Sequence, residues 1–338
     1  MKKSQYGILL AGSAALMWGV SGPMSQLLFT TNHVSVHWLI ASKMLLSGAL
    51  LVGAGLFTQK EKMLGIWRSW QNILSLLAFT AIGMVSMQFI YYQAVAVSDA
   101  ATATILQFTS PILVVLYLAL AERKLPARID IIAVLLAIMG TYLIVTRGDL
   151  GHLAITPNGL FWGIAAAFAA AVYTLMPRNL IREFGAISTV GWSMLIGGIV
   201  MAPTVPVQEW VPHLTGAGVG AYLFILFFGT VIAYAMYLGS LKYTTATVAS
   251  VLDSFEPLGA AILSILMFNR HFGPAELIGT GLIILTVIGM ALLPHPNPQM
   301  HTAVKRTSSE QTTVDTPAAL SMAPIGPQTM PAHKPNTR

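Results

Sequence analysis

Apolar runs long enough to cross a membrane recur ten times along the chain, each cut off from the next by a few polar or turn-forming residues. A bilayer core of about 30 Å is spanned by about 20 residues of α-helix. The runs predict helices over residues 6–29, 34–57, 72–95, 100–121 and 129–146, then over 158–177, 186–205, 218–241, 246–268 and 275–293. Connections are short, and the longest, 58–71 and 147–157, are too small to be domains. The expected fold is an all-α polytopic membrane protein with ten transmembrane helices. The pattern stops at residue 293. Residues 294–338 hold eight prolines, no helical periodicity and few large apolar side chains, so they cannot bury enough surface to offset chain entropy and are expected to form a disordered tail.

The same pattern contains a repeat. Sliding the chain by 146 residues lays residues 83–111 over 229–257 without a gap. Gly83/Gly229, Val85/Val231, Tyr91/Tyr237, Ala100/Ala246, Ala103/Ala249, Leu106/Leu252 and Pro111/Pro257 then coincide, seven matches in 29 positions. This suggests a duplicated unit, with one five-helix repeat over residues 1–146 and a second over 147–293. Five is odd, so the second repeat must enter the membrane upside down relative to the first. Inverted repeats are a recurring plan of secondary transporters, because exchanging the conformations of the two halves produces outward-open and inward-open states. The copies differ in chemistry: Gln107 and Ser110 stand in the first where Asp253 and Glu256 stand in the second.

Composition agrees with the membrane reading, since 55% of the residues are apolar and 9% charged, against about a quarter charged in a soluble globule. The net charge of +6 does not require a nucleic-acid partner, because most basic residues sit beside apolar runs, where topology explains them. With the N-terminus inside, cytoplasmic loops receive Lys2, Lys3, Lys60, Lys62, Arg68, Arg123, Lys124, Arg128, Arg178, Arg182 and Lys242, against Arg147 and Arg270 outside. Both termini are then cytoplasmic, in a bacterial-type plasma membrane. The first apolar run continues too far for a signal peptide and lacks a small-residue cleavage site, so it is expected to be retained. The chain has no cysteine, which excludes disulfides, thiolate catalysis and Cys-ligated metals.

Against this background the polar residues inside the runs stand out. Asp253 and Glu256 are three apart, on nearly one face of a helix. A central Asp costs ~2.5 to 3.5 kcal/mol on insertion scales, so the pair points to a polar path for substrate or protons, with a structural ion pair as the alternative. Burial and mutual repulsion both favour keeping one proton on the pair. Lys43 is the one cation deep within a run and needs a counter-charge, which Asp253 or Glu256 is expected to supply. Gln88, Gln93 and Gln107 add hydrogen-bonding groups, Gln107 at the position equivalent to Asp253. Tyr91 and Tyr237 correspond under the repeat and are expected near opposite mouths, as gates or as ordinary interfacial aromatics. Trp18 is expected to line the path or to pack. Pro257 and its equivalent Pro111, and Pro23 after Trp18-Gly19, are expected to interrupt their helices. The histidines form no ligand cluster, and neither a metal nor another cofactor is expected.

The Met17-Trp18-Gly19 turn, Lys43 in the second run, ATATILQFTSP over 101–111 followed by Ala121-Glu122-Arg123, and ASVLDSFEP over 249–257 together resemble the EamA family of the drug/metabolite transporter superfamily, across residues 6–293. Phe268-Asn269 stands where that family usually has an acidic residue after the ninth helix. The resemblance implies a ten-helix secondary carrier with a central cavity, often exporting amino acids, nucleotide-related compounds or other metabolites. The expected function is export of a small metabolite, an amino acid or related compound, coupled to protons by alternating access. The competing reading is an intramembrane enzyme acting on a lipid or small molecule. That would need a nucleophile and base or metal ligands at membrane depth, and the chain has no H-E-x-x-H or G-x-S-x-G motif.

Overall fold

Every regular element among the described residues is helical. The computed structural model describes residues 3–121, 128–147, 149, 155–241, 243–244, 248–249 and 252–292. The expected disordered tail, 294–338, lies outside them. Helix α1 runs Lys3–Thr31. Ser35 starts α2 (Val36–Thr58) by accepting the Trp38 N–H at 3.2 Å. A short α3 (Lys60–Gly65) lies in the following connection, and α4 spans Trp70–Val97. Asp99 caps α5 (Ala100–Gln107), accepting the Thr102 N–H at 2.9 Å and the Thr102 hydroxyl at 2.8 Å. After a break come α6 (Ser110–Ala121) and α7 (Arg128–Thr146). Thr156 caps α8 (Pro157–Leu175), whose first residue is a proline. Then follow α9 (Arg178–Phe184), α10 (Ala186–Met201), α11 (Gly216–Ser240, capped by Thr215), α12 (Phe255–Phe268) and α13 (Pro274–Leu292). The capping side chains satisfy N–H groups that a first helical turn leaves unpaired.

By length and composition, seven helical segments can cross a membrane: Gln5–Thr31, Val36–Thr58, Trp70–Val97, Ala100–Tyr117, Pro157–Leu175, Ala186–Thr204 and Gly216–Ser240. Three further apolar helices, Ile131–Thr146, Phe255–Phe268 and Pro274–Gly289, are shorter. Large apolar side chains point outward, for example Ile131, Leu135 and Ile138 on α7 and Phe161 and Phe168 on α8. Their helical spacing makes continuous apolar stripes, which suit acyl chains and not water.

Small residues set the packing. α2 lies along α10, where a Cβ on Gly48 would run into the backbone of Leu195 and one on Gly198 into that of Leu45. α7 lies along α13, with Gly140 and Gly279 each facing the other's backbone. Such contacts bring helix backbones together where lipid offers no hydrophobic drive. α1 packs against α11 and α12, and α8 against α4, α5 and α6.

Two kinds of irregularity recur at the repeat spacing. π-helical turns occur at Phe79–Val85 in α4 and Phe224–Ile232 in α11, which the 146-residue shift lays over one another to within a residue. Helix interruptions occur at 108–109 and 253–254. A proline ring clashes with the carbonyl four residues before it. Those residues are Gln107, the last of α5, and Asp253, at the turn into α12. Pro23 does not do the same, contrary to expectation: α1 continues unbroken to Thr31. Its one missing N–H is tolerated in a helix held by neighbours on several sides.

Candidate functional site

The break before α12 places two carboxylates in the middle of the helix bundle. The Glu256 N–H donates to the Asp253 carbonyl at 2.9 Å, turning the chain back into helix. Tyr237 on α11 donates its hydroxyl to Asp253 Oδ2 at 3.0 Å, while Asp253 Oδ1 is enclosed with no hydrogen-bond partner among the described residues. Glu256 lies within electrostatic reach of Asp253, Tyr91, Tyr92 and Tyr234. Both acids are partly buried.

An aromatic wall surrounds them. Trp18 on α1 meets Tyr234 edge-on at 5.4 Å and Tyr237 at 5.3 Å between ring centres. The hydroxyls of Tyr173 and Tyr234 share a hydrogen bond of 3.0 Å. Tyr91 shares one of 3.0 Å with Thr104 and packs on Tyr92 at 5.3 Å. Tyr91 and Tyr237 are thus not apart at opposite mouths: Tyr237 bonds Asp253, and Tyr91 lies within electrostatic reach of Glu256. The repeat superimposes them in sequence, and the bundle brings their helices to one centre.

Lys43 also departs from expectation. It is 4% exposed, and its Nζ donates to Gln88 Oε1 at 3.0 Å and to the Tyr92 hydroxyl at 2.9 Å, 4.7 Å from the centre of that ring. No carboxylate among the described residues lies within ion-pairing distance of it. Gln88 and Tyr92 are one helical turn apart on α4, so both reach the same ammonium. On α5, Gln107 Oε1 is enclosed without a partner among the described residues, as Asp253 Oδ1 is at the equivalent position.

Sequence reasoning missed Tyr92, Tyr173 and Tyr234, which carry no charge and look like ordinary aromatics in an apolar run. It also missed an ionic cluster at one end of the bundle. Arg270 Nη2 lies 3.0 Å from Glu276 Oε1, 3.4 Å from Asp99 Oδ2 and 3.3 Å from Thr102 Oγ1, and Arg147 Nε lies 3.1 Å from Glu276 Oε1. A signal existed: these two arginines are the pair that the topology count leaves on the sparsely charged side. Two cavities lie away from the carboxylates. One of about 250 Å³ is lined by Asn32, His33, Trp38, Glu209 and His213, and an apolar one of about 520 Å³ by Ile82, Ile90, Phe161, Phe168 and Val172. Among the described residues no three His, Cys, Asp or Glu gather as metal ligands.

A multi-helix membrane bundle with acids and tyrosines at a broken helix is an arrangement that secondary transporters use. The EamA-like transporter family matches residues 5–146 and 157–292, and the chain belongs to that family. It is 35% identical to the uncharacterized inner membrane transporter YicL of Salmonella typhimurium, over 86% of this chain and 97% of that one. It is 26% identical to the threonine/homoserine exporter RhtA of Escherichia coli, over 64% of this chain and 70% of that one. A solved crystal structure shares the fold, with a TM-score of 0.59 at 18% identity, over 85% of this chain and 97% of its own. The family and these named relatives are transporters, not enzymes, which removes the intramembrane-enzyme alternative. The protein is a multi-pass membrane transporter of a small molecule.

Proposed function

We propose that this chain exports a small metabolite, an amino acid or related compound, in exchange for protons by alternating access. The observation that carries the reading is the Asp253/Glu256 pair at a helix break, with one carboxylate oxygen unpartnered inside an aromatic wall. Such broken helices are where secondary transporters place substrates and coupling ions. Glu256 takes the proton, and Asp253 Oδ1 receives a cationic group of the substrate. Trp18, Gln88, Gln107 and Lys43 line or support the path, Tyr91 and Tyr237 gate it, and Pro257 and Pro111 keep their helices open. Protonation and substrate binding then bias one site between two states. The amino-acid class is supported by the name of the relative RhtA.

The architecture in this reading is ten transmembrane helices in two inverted repeats, 1–146 and 147–293. The family matches the chain twice, once in each half, and the π turns recur at the repeat spacing. The α2–α10 and α7–α13 contacts each join a helix to its counterpart, and the packing of α1 on α11 and α12 mirrors that of α8 on α4, α5 and α6. The Lys/Arg distribution and the inner-membrane relative YicL support a bacterial inner membrane location with both termini in the cytoplasm.

The test compares metabolites inside and outside cells carrying the wild type, Glu256→Gln or empty vector. A compound moved out unchanged by the wild type and retained with Glu256→Gln is the expected result. Equal export by both proteins would remove Glu256 from the mechanism, and a new product in place of redistribution would overturn transport.

A further inference from the structure

We infer that the ionic cluster of Asp99, Arg147, Arg270 and Glu276 is the latch that holds one end of the transport path shut in this conformation. The inference rests on the alternating-access reading above, in which each end of the path must open in turn.

The cluster joins the two halves of the chain at one corner. Asp99 and Thr102 stand at the start of α5, and Arg147 follows α7, all in the first family match or next to it; in the second, Arg270 stands between α12 and α13 and Glu276 in the first turn of α13. Glu276 is 2% exposed and takes three donors: Arg147 Nε, Arg270 Nη2, and the Gly273 N–H at 2.9 Å. The last is the helix-capping contact of α13, which fixes the carboxylate in place. α1 is tied to the same corner, since Gln26 Oε1 accepts the Ala100 N–H at 2.9 Å.

Both cations reach the cluster through left-handed turns, a conformation that non-glycine residues adopt uncommonly. Arg147 itself has φ 51°, and Asn269, which ends α12 and delivers Arg270, has φ 49°. The chain therefore spends local conformational preference to aim two arginines at one buried carboxylate.

Such a joint suits a reversible closure. Two cations face two anions, so neither the closed nor the open state carries an unbalanced charge. Arg147 is 45% exposed, Arg270 19% and Asp99 18%, so water stands ready to take over their partners as the halves part. The repeat indicates that the latch belongs to one end. The 146-residue shift places Lys124 and Asp130 at the positions of Arg270 and Glu276, but Thr245 at that of Asp99 and Leu293 at that of Arg147, so the sequence repeats only half of the cluster.

The absence of cysteine in the chain allows a background-free test. Ser25 on α1 is fully buried, next to the Gln26 that ties α1 to the latch corner. Full-length Ser25→Cys in membrane vesicles of both orientations is treated with a membrane-impermeant maleimide, and the labelling rate is read from each side. Arg270→Gln should speed labelling from the latch end by about tenfold. Arg270→Lys should stay near the parent rate, because a single nitrogen, Nη2, serves all three acceptors and an ammonium offers three donors at one point. The proposal is overturned by an unchanged rate in Arg270→Gln, by equal acceleration in Gln and Lys variants, or by acceleration from both ends, which marks a loosened bundle. Faster labelling from the latch end in a protein that exports nothing would leave the latch standing and overturn the export reading instead.

Discussion

The two interrupted helices share an architecture and differ in charge. In each, a proline stands four residues after a residue whose side-chain oxygen is enclosed and, among the described residues, without a partner: Gln107 Oε1, at the end of α5, in one half, and Asp253 Oδ1, in the turn before α12, in the other. What is common is the backbone device, and what differs is whether the open oxygen belongs to an amide or an acid. The fold can thus be duplicated while the chemistry is kept in one copy. The sharpest way to break the comparison is to neutralise each position. Asp253→Asn should lower export by about a hundredfold (about 2.7 kcal/mol), whereas Gln107→Ala should lower it by about twofold. Initial export rates at matched expression check this, and equal losses would mean that the two breaks serve the same role.

The helices that press on the breaks differ as well. A Cβ on Gly19 of α1 would collide with the backbone carbonyl of Glu256, which cannot move without shifting α12. One on Gly163 of α8 would meet only the side chain of Leu106, on α5 just before the first break. Gly19→Ala is therefore expected to destabilise the protein by about 2 kcal/mol and Gly163→Ala by about 1 kcal/mol, within the usual range for overpacking. Thermal unfolding in detergent orders the two variants. The reverse order would show that the second break is the more yielding one.

Lys43 sharpens the comparison from the first half. Had it paired with a buried carboxylate, removing it would cost about 3–5 kcal/mol, because an uncompensated charge would remain. Its partners are the neutral Gln88 and Tyr92, so Lys43→Met should cost about 1–2 kcal/mol, the loss of hydrogen bonds to two neutral groups. A loss beyond that range in the same unfolding measurement would indicate an ionic partner formed in another state of the cycle.

The sequence was informative where local rules decide. Membrane helices obey length and apolarity, so most of the expected segments fall on apolar helices with bounds close to those observed, and prolines at equivalent positions located both breaks. Of the segment expected over 246–268, residues 246–247 and 250–251 lie outside the described residues and α12 begins at Phe255. Partners across the bundle were less legible. Lys43 and Asp253 are compatible by charge, but α2 faces α4 at Lys43 while its Gly48 and Leu45 lie close against Leu195 and Gly198 of α10. Pro23 looks the same as Pro111 in sequence, yet its helix is supported on several sides and stays whole. Arg147 and Arg270 read as loop charges because their acceptor, Glu276, lies in the first turn of α13, far in sequence from the first of them, and only the fold brings the three together.

The smallest expected change concerns the prolines themselves. Pro111 is the second residue of α6 and Pro257 the third of α12, positions where a helix does not use the backbone N–H. Replacing either by alanine loses little as long as the break persists, and it removes the ring that keeps the preceding carbonyl out of line. Stability should therefore change by less than about 1 kcal/mol in both variants. Export should separate them. If the break is needed to hold the Asp253 carboxylate beside Tyr237, Pro257→Ala should slow export by about tenfold (about 1.4 kcal/mol), while Pro111→Ala should leave it within about twofold. Unimpaired export by Pro257→Ala would show that Asp253 and Tyr237 meet without the proline, and that the turn at Asp253-Ser254 is held by packing alone.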